Sequence, residues 1–337
     1  MLNTLVQLLL FLGEMIILVA AILIVAAGIA AIVTKGKTKN KINVRSLNEY
    51  YKNLTDEISA EILEKKAYKK YKKSEKKSEK QNPLKQQRVF VLNFDGDWKA
   101  SAVNLFREEI TAILCVAKPQ DEVVVRLESS GGVVHGYGLA ASELQRIKDH
   151  HIPLTIAVDK VAASGGYMMA CVADKILAAP FAIIGSIGVL AQLPNFHRFL
   201  KKHDVDFEQI TAGQYKRTLS LFGENTSDGR KKFQTEINEA HQLFKQFITE
   251  HRPQIDIDKL ATGEYWFGQK AKELNLVDKI ITSDEYLITA SQQAELFEVA
   301  FKRKKKLLEK LGHTTQSSVK DLIASIKQKE LDEIFYL

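Results

Sequence analysis

The chain has 337 residues, of which 45% are hydrophobic and 26% charged, with 6 prolines and 18 glycines. This composition excludes a wholly disordered chain and a collagen-like fibre, and the length fits one large domain or two modest ones. The net charge of +7 belongs to the amino-terminal quarter, because residues 1–88 hold 17 Lys/Arg against 8 Asp/Glu and the remainder hold 31 against 33. We therefore expect no nucleic acid among the partners of the main domain. The two cysteines have neither metal nor redox spacing and are predicted to be buried free thiols.

The amino-terminal segment is predicted to be a membrane anchor. Residues 15–33 carry no charge, and this run is long enough to cross a bilayer. A cleaved signal peptide is the competing interpretation, but its apolar region is typically shorter and follows a basic segment that this chain lacks. We predict a single-pass anchor over residues 1–34. The basic residues that follow favour a cytoplasmic domain, although a large domain can override this bias, which leaves the side of the membrane open.

Residues 35–87 are rich in charge, and nine lysines lie between Lys65 and Lys80. Such a run is typical of a solvated helix or a flexible stalk. Contact with anionic lipid headgroups is the alternative. Asn82 and Pro83 mark the end of this linker. A domain is therefore predicted to begin near Arg88 and to reach about residue 290, followed by a charged helical extension over residues 291–337.

Short β-like runs alternate with helix-like stretches from Val89 onward, which is typical of a parallel sheet covered by helices. The strand-like runs are VFVLNF at 89–94, VVVRL at 123–127, PLTIAV at 153–158 and KILAA at 175–179. The helix-like stretches run to about residue 116, over 137–148, from 164 onward and over 227–250. The sequence thus predicts an α/β domain.

Three glycine-containing turns follow strand-like runs, at residues 129–132, 162–166 and 185–188. In parallel α/β folds, ligands bind outside the carboxyl ends of the strands, so these turns are expected to share one pocket. Each turn alone is equally typical of an ordinary tight turn, because glycine adopts positive φ readily.

Ser164 is the strongest candidate for a reactive residue in these turns. A serine between a strand and a helix is exposed at the top of a sheet, and the Gly165 N–H can stabilise an oxyanion there, with a second donor from Gly131 or Gly132. The local pattern by itself favours a helix N-cap for this serine.

A nucleophilic serine needs a base, and two residues are candidates. His135 follows Gly132 by three residues. Lys216 is the alternative, since a lysine becomes a base when an apolar pocket, the membrane or a neighbouring subunit buries it and lowers its pKa. From the pattern alone, Lys216 is indistinguishable from a solvated charge.

Four motifs resemble those of the signal peptide peptidase A family of Ser/Lys membrane peptidases, peptidase family S49. They are, in order, SSGG at 129–132, AASGGY at 162–167, GSIG at 185–188 and GQYKR at 213–217. The lysine-rich segment and the stretch LFGENTSDGRKKF at 221–233 are similar to the SohB-type members. The similarity runs from about Leu47 to Ile281. Ser130 is a departure, because the family often has proline there.

The resemblance implies a serine endopeptidase in which Ser164 is the nucleophile, Lys216 is the general base and Ser186 orients the lysine amine. It implies Gly132 and Gly165 as the oxyanion donors, and neither a cofactor nor a metal ion. The implied fold is a crotonase- or Clp-protease-like spiral of ββα units. The implied partners are peptide substrates at the lipid bilayer of a bacterial inner membrane, such as residual signal peptides or damaged proteins, and further copies of the chain in a homo-oligomeric ring.

Two other classes of function remain open at this point. A crotonase-like acyl transfer enzyme would use the same glycine-rich oxyanion turns, and a membrane-bound interaction scaffold would use amphipathic C-terminal helices. The serine in the second turn favours the peptidase, because enolate chemistry needs no nucleophile.

Overall fold

The computed structural model describes residues 41–81 and 87–302, together with residues 15, 19 and 20. Ile42–Phe301 forms one compact unit. All of the predicted anchor except residues 15, 19 and 20, and most of the predicted C-terminal extension, lie outside the described residues. Within the described parts, no helix combines the length and apolar character that a bilayer span needs.

The described residues between 41 and 302 form ten strands and ten helices. The strands are β1 (Lys41–Ser46), β2 (Arg88–Gly96), β3 (Glu122–Ser129), β4 (Leu154–Val158), β5 (Val161–Ala163), β6 (Lys175–Ala178), β7 (Ile183–Gly185), β8 (Tyr265–Phe267), β9 (Lys279–Ile280) and β10 (Glu295–Lys302). The helices are α1 (Leu47–Ile62), α2 (Lys65–Gln81), α3 (Val103–Leu114), α4 (Val134–Asp149), α5 (Gly165–Ala170), α6 (His197–Lys202), α7 (Ser227–His251), α8 (Ile257–Leu260), α9 (Gly268–Glu273) and α10 (Ser283–Ser291).

The strands form one sheet in which β1, β10, β2, β3, β4, β6 and β9 lie side by side in that order. The pairings from β10 through to β9 are parallel. Strand β5 pairs with the end of β3, β7 pairs with β5, and β8 lies antiparallel to β7. The α/β class predicted from alternating strand-like and helix-like runs is confirmed.

The centre of the sheet is buried on both faces, as expected for apolar parallel strands covered by helices. Val123 and Val125 of β3 lie in the larger core, together with residues of α3 and α4. Val124 points to the other face and packs in a smaller cluster with Leu47 of α1 and Leu287 of α10. Adjacent residues of one strand therefore bind the two helical layers to the same sheet.

Residues 42–81, predicted to be a solvated helix or a flexible stalk, form most of β1 together with α1 and α2 and belong to the compact unit. Strand β1 lies beside β10, and α1 is fixed to the sheet by Asn48. The Asn48 amide donates to the main-chain oxygens of Ser291 and Ala294, both at 3.0 Å, and its side-chain oxygen accepts from the Leu296 N–H at 2.7 Å. Few residues of this highly charged segment contact the sheet, so its sequence pattern does not predict the docking. The domain boundary predicted near Arg88 falls inside the compact unit.

Leu47 is expected to carry much of the stability of this docking. It is 4% exposed, so Leu47→Ala should lower the free energy of unfolding of the full chain by about 2–5 kcal/mol through the cavity that it leaves. Leu54, on the same helix and 39% exposed, is the matched control. Leu54→Ala should change the free energy of unfolding by about 0.5 kcal/mol or less. Urea denaturation measures both values, and equal effects of the two substitutions would contradict the docking of α1.

The described start of the C-terminal region is a strand and not the helix predicted from residue 291. Strand β10 pairs in parallel with β2. Leu296 is buried, whereas Glu298 accepts a hydrogen bond from Arg126 at 2.9 Å. Its charged residues, Glu295, Glu298 and Lys302, are three and four residues apart, which is a helical spacing, so the local pattern favours a helix although the segment pairs as a strand.

Candidate active site

Three turns come together at the carboxyl ends of neighbouring strands. Ser129, the last residue of β3, is paired with Ala162 of β5, and Ala163 at the end of β5 is paired with Gly185 at the end of β7. The turns that follow these three strand ends therefore lie side by side. This is the arrangement expected of the three glycine-containing turns in the sequence.

Ser164 lies at a strained corner between β5 and α5. Its φ is 52° and its ψ is −118°, a region that residues other than glycine rarely adopt. Its N–H donates to the Gly185 carbonyl at 2.8 Å, and its carbonyl accepts from the Met168 N–H at 2.9 Å. The hydroxyl caps no N–H of α5, so a capping role does not explain this serine. A serine on a strained strand-to-helix turn is the arrangement of a nucleophile elbow.

Glycines allow the first two turns to pack against each other. Gly131 has a φ of +89°, and a Cβ there would lie 2.7 Å from both the Ser164 Cβ and the Gly165 nitrogen. A Cβ on Gly166 would collide with the main chain at the end of β3. A side chain at either position would therefore push the 129–132 turn away from Ser164.

The hydrogen bonds of these turns separate the two candidate oxyanion donors in the first turn. The Gly131 N–H donates to Ser129 Oγ at 3.1 Å and is therefore occupied. The N–H groups of Gly132 and Gly165 donate to no acceptor among the described residues. Gly165 is also the first residue of α5, where the N–H has no partner within the helix. Two amides beside Ser164 thus remain available to a ligand.

Ser186 occupies a second strained turn beside the first. Its φ is 49°, and its N–H donates to the Glu264 carbonyl at 2.7 Å. Because Gly185 is paired with Ala163, Ser186 and Ser164 follow paired residues at the ends of adjacent strands. Both serines are half-buried. The structure therefore brings two serine-bearing turns to one place.

Lys216 lies in a different environment. It belongs to the long segment between β7 and α7, where α6 is the one regular element, and its side chain is exposed. Its Nζ makes no hydrogen bond or ion pair with any residue that the structure describes, including Ser164 and Ser186. It lines an open cavity of about 680 Å³. The other lining residues are the apolar Phe207, Ile210, Ala212, Leu221 and Phe222 and the polar or charged Gln209, Thr211, Arg217 and Ser220.

His135, the alternative base, is exposed on the first turn of α4. Its ring nitrogens form no hydrogen bond with the part of the chain that the structure describes, and no carboxylate orients it there. A histidine base is normally oriented by a third group, and no described residue forms a hydrogen bond or ion pair with His135.

The buried cysteine does not offer another nucleophile. Cys171 is buried, and burial raises the pKa of its thiol far above the usual range, so the reactive thiolate is absent at neutral pH. Cys115 is exposed at the end of α3, which corrects the prediction that both thiols are buried. In the described residues, no group of three His, Cys, Asp or Glu side chains could hold a metal ion.

Comparisons with known proteins place the chain in a family. The model described as peptidase family S49 matches residues 146–297, and the model of its N-terminal part matches residues 3–144. "Probable protease SohB" of Haemophilus influenzae is 55% identical over 252 residues, which cover 75% of this chain and 71% of that protein. This chain belongs to peptidase family S49. "Probable protease SohB" of Buchnera aphidicola subsp. Acyrthosiphon pisum is 50% identical over 295 residues, or 87% and 88% of the two chains.

Membership of family S49 makes the chain a peptidase, and its high identity to these proteins places it among the SohB-type members. A more distant relative is "Protease 4" of Haemophilus influenzae, which is 28% identical over 213 residues, or 61% of this chain and 34% of that protein. The family resemblance predicted from the four motifs is confirmed.

Proposed function

We propose that this chain is a membrane-anchored serine endopeptidase in which Ser164 is the nucleophile and Lys216 the general base. The observation that carries the proposal is the strained turn at Ser164 with the unoccupied amides of Gly132 and Gly165 beside it, in a chain of a peptidase family. Two preorganised N–H donors are the usual means by which an enzyme stabilises the oxyanion of acyl transfer.

In the proposed mechanism, neutral Lys216 takes the Ser164 proton as Oγ attacks the peptide carbonyl carbon. The carbonyl electron pair moves to the oxygen, where the Gly132 and Gly165 amides stabilise it. The lysine then protonates the leaving amine as the carbon–nitrogen bond breaks, which leaves an acyl-enzyme. Water adds to that ester as Lys216 takes its proton, and the proton returns to Ser164 when the carboxylic acid leaves. Ser186, on the neighbouring turn, is proposed to orient the amine through a hydrogen bond.

The exposure of Lys216 makes a further subunit part of this proposal. A lysine amine in water is protonated at neutral pH, so the base must be covered before it can act. Large apolar side chains in the same segment are exposed in the single chain, namely Leu190, Phe196, Phe199, Phe207, Ile210, Tyr215 and Phe222. A patch of this kind is typical of a contact surface. We propose that a second copy of the chain covers it in a homo-oligomeric ring.

The fold of the site supports a crotonase- or Clp-protease-like spiral of ββα units. Strands β4 and β6 of the main sheet are each followed by a short strand, β5 and β7, and these two short strands pair with each other away from the main strand order. Helix α5 follows β5 directly, which completes one ββα unit. This repetition gives the two serine-bearing turns their common direction.

The membrane part of the proposal rests on the uncharged run at residues 15–33. An anchor would hold the site close to the bilayer of a bacterial inner membrane. Peptides in or near that bilayer, such as residual signal peptides or damaged proteins, are therefore the proposed substrates.

A serine-directed fluorophosphonate probe tests the proposed chemistry without knowledge of the substrate. We expect the intact chain to be labelled in stoichiometric amount and the modified peptide, identified by mass spectrometry, to contain Ser164. Ser142, an exposed serine of α4, is the internal control and should remain unmodified. No labelling, or equal labelling of both serines, would contradict a serine peptidase.

A further inference from the structure

A chain of buried hydroxyl groups lies directly beneath the first oxyanion turn. Ser129 is 2% exposed and Tyr137 is fully buried. Ser129 Oγ and the Tyr137 hydroxyl are 2.6 Å apart, the Tyr137 hydroxyl donates to the Asp97 carbonyl at 2.7 Å, and the Gly131 N–H donates to Ser129 Oγ at 3.1 Å. Neither hydroxyl was predicted from the sequence to have a role in the site.

The proton positions in this series of hydroxyl groups follow from counting the donors. Tyr137 has one hydroxyl proton, which goes to the Asp97 carbonyl, so its oxygen can only accept from Ser129. The competing acceptor for the Ser129 proton, the Gly96 carbonyl, is more distant at 3.4 Å. The hydrogen bonds therefore run in one direction, from the Gly131 N–H through Ser129 and Tyr137 to Asp97. Burial raises the pKa of Tyr137, which keeps its hydroxyl protonated at neutral pH.

Tyr137 also contacts the second turn of the site. A Cβ on Gly165 would collide with the Tyr137 ring, so that ring lies against the backbone that carries the second oxyanion donor. One side chain thus supports both turns: its hydroxyl holds the 129–132 turn through Ser129, and its ring supports α5 at Gly165. The Gly131 N–H donates to Ser129, and the next amide, that of Gly132, has no acceptor among the described residues.

We infer that Ser129 and Tyr137 are positioning residues that set the direction of the Gly132 amide toward the oxyanion formed at Ser164. This inference rests on the proposed function, because it assigns these side chains to the same reaction. An error of about 1 Å in the position of a catalytic group can cost on the order of 100-fold in rate. Loss of either hydroxyl should therefore slow the chemical step without weakening substrate binding.

Tyr137→Phe tests the inference, because it removes the hydroxyl and retains the ring against Gly165. With a fluorogenic peptide substrate, we expect kcat to fall by about 10- to 100-fold and KM to stay within about twofold. Ser129→Ala should give a loss of similar size. Since both residues act through one chain of hydrogen bonds, the double variant should lose no more than the worse single variant, and not the product of the two losses.

Tyr286→Phe is the matched control. Tyr286 is half-buried and donates at 2.7 Å to Glu122, which is the first residue of β3, whereas Ser129 is the last. Tyr286→Phe therefore removes a tyrosine hydrogen bond of the same length, 2.7 Å, at the opposite end of the same strand. Its kcat should stay within about twofold of the unmodified chain, and thermal melts of the full chain in detergent should show that each variant is folded.

A peptide aldehyde adds a measurement that a structural role would not affect. Ser164 Oγ adds to the aldehyde carbon, its proton passes to the base and the carbonyl electron pair becomes the oxyanion, so affinity reports on the oxyanion donors. We expect Tyr137→Phe to weaken this inhibitor by the same factor as kcat. Unchanged kcat and inhibitor affinity in Tyr137→Phe, with Ser164→Ala inactive, would overturn the inference alone. Equal losses in Tyr137→Phe and Tyr286→Phe would also overturn it, and activity in Ser164→Ala would overturn the proposed function itself.

Discussion

Ser164→Ala should lower peptidase activity by at least about 10⁴-fold, because it removes the atom that attacks the substrate. The change should leave the fold intact. The Ser164 hydroxyl caps no N–H of α5, so the cost in free energy of unfolding should be about 0.5 kcal/mol or less. Turnover of a fluorogenic peptide by the purified full chain measures the loss, and urea denaturation measures the stability.

Ser164→Gly separates catalysis from backbone strain at the same position. Ser164→Gly should be as inactive as Ser164→Ala, because it also lacks the hydroxyl. Glycine adopts a φ of 52° without the cost that serine incurs, so the free energy of unfolding of Ser164→Gly should be about 1 kcal/mol higher than that of Ser164→Ala. Ser142→Ala controls for loss of an ordinary helix hydroxyl, which here donates to the Gly138 carbonyl at 2.9 Å, and should retain full activity. Peptidase activity in either Ser164 variant would remove this residue from the mechanism.

The parts of the fold that the sequence predicted are those with strong local patterns. The apolar runs at residues 89–94 and 123–127 became β2 and β3, because both are buried on two faces and read as continuous hydrophobic stretches. Strands β5 and β7 have only three residues each, too few for any period to show, although they position the serine-bearing turns. Strand β1 and the docking of α1 on the sheet were missed because a few docking residues, such as Asn48, are scattered in a charged segment.

The residues of the site likewise divide into those that a local sequence pattern predicts and those that depend on tertiary packing. Ser164 could be predicted because glycine-containing turns directly after strands mark the carboxyl edge of a parallel sheet, whereas Ser186 was implied by the family resemblance. Tyr137 could not, since an aromatic residue on a helix face is ordinarily a core residue, and its hydrogen bond to Ser129 depends on how α4 packs under the sheet edge. The surroundings of Lys216 in the described residues come from its own long segment between β7 and α7, where no periodic pattern shows which side chains lie together.

Lys216→Arg is the second decisive substitution. Arginine keeps the positive charge and nearly the size of lysine but does not lose its proton in proteins, so it cannot act as a base. We expect Lys216→Arg to be as inactive as Lys216→Ala, with losses of about 10²- to 10⁴-fold in kcat. Lys202, an exposed lysine at the end of α6, is the matched control, and Lys202→Arg should retain normal turnover. Ser186→Ala should have an intermediate effect, because it orients the base and transfers no proton.

His135→Ala completes the experiment, since a histidine base is the competing explanation for any active serine here. His135 is exposed and has no orienting partner in the described residues, so its removal should leave substantial turnover. Lys216→Arg and His135→Ala are expected to have opposite effects under the two mechanisms. Near-normal turnover in Lys216→Arg together with an inactive His135→Ala would replace the Ser/Lys dyad by a histidine-dependent serine hydrolase. An inactive Lys216→Arg with an active His135→Ala leaves the lysine as the base and makes the covering of its exposed side chain a requirement for catalysis.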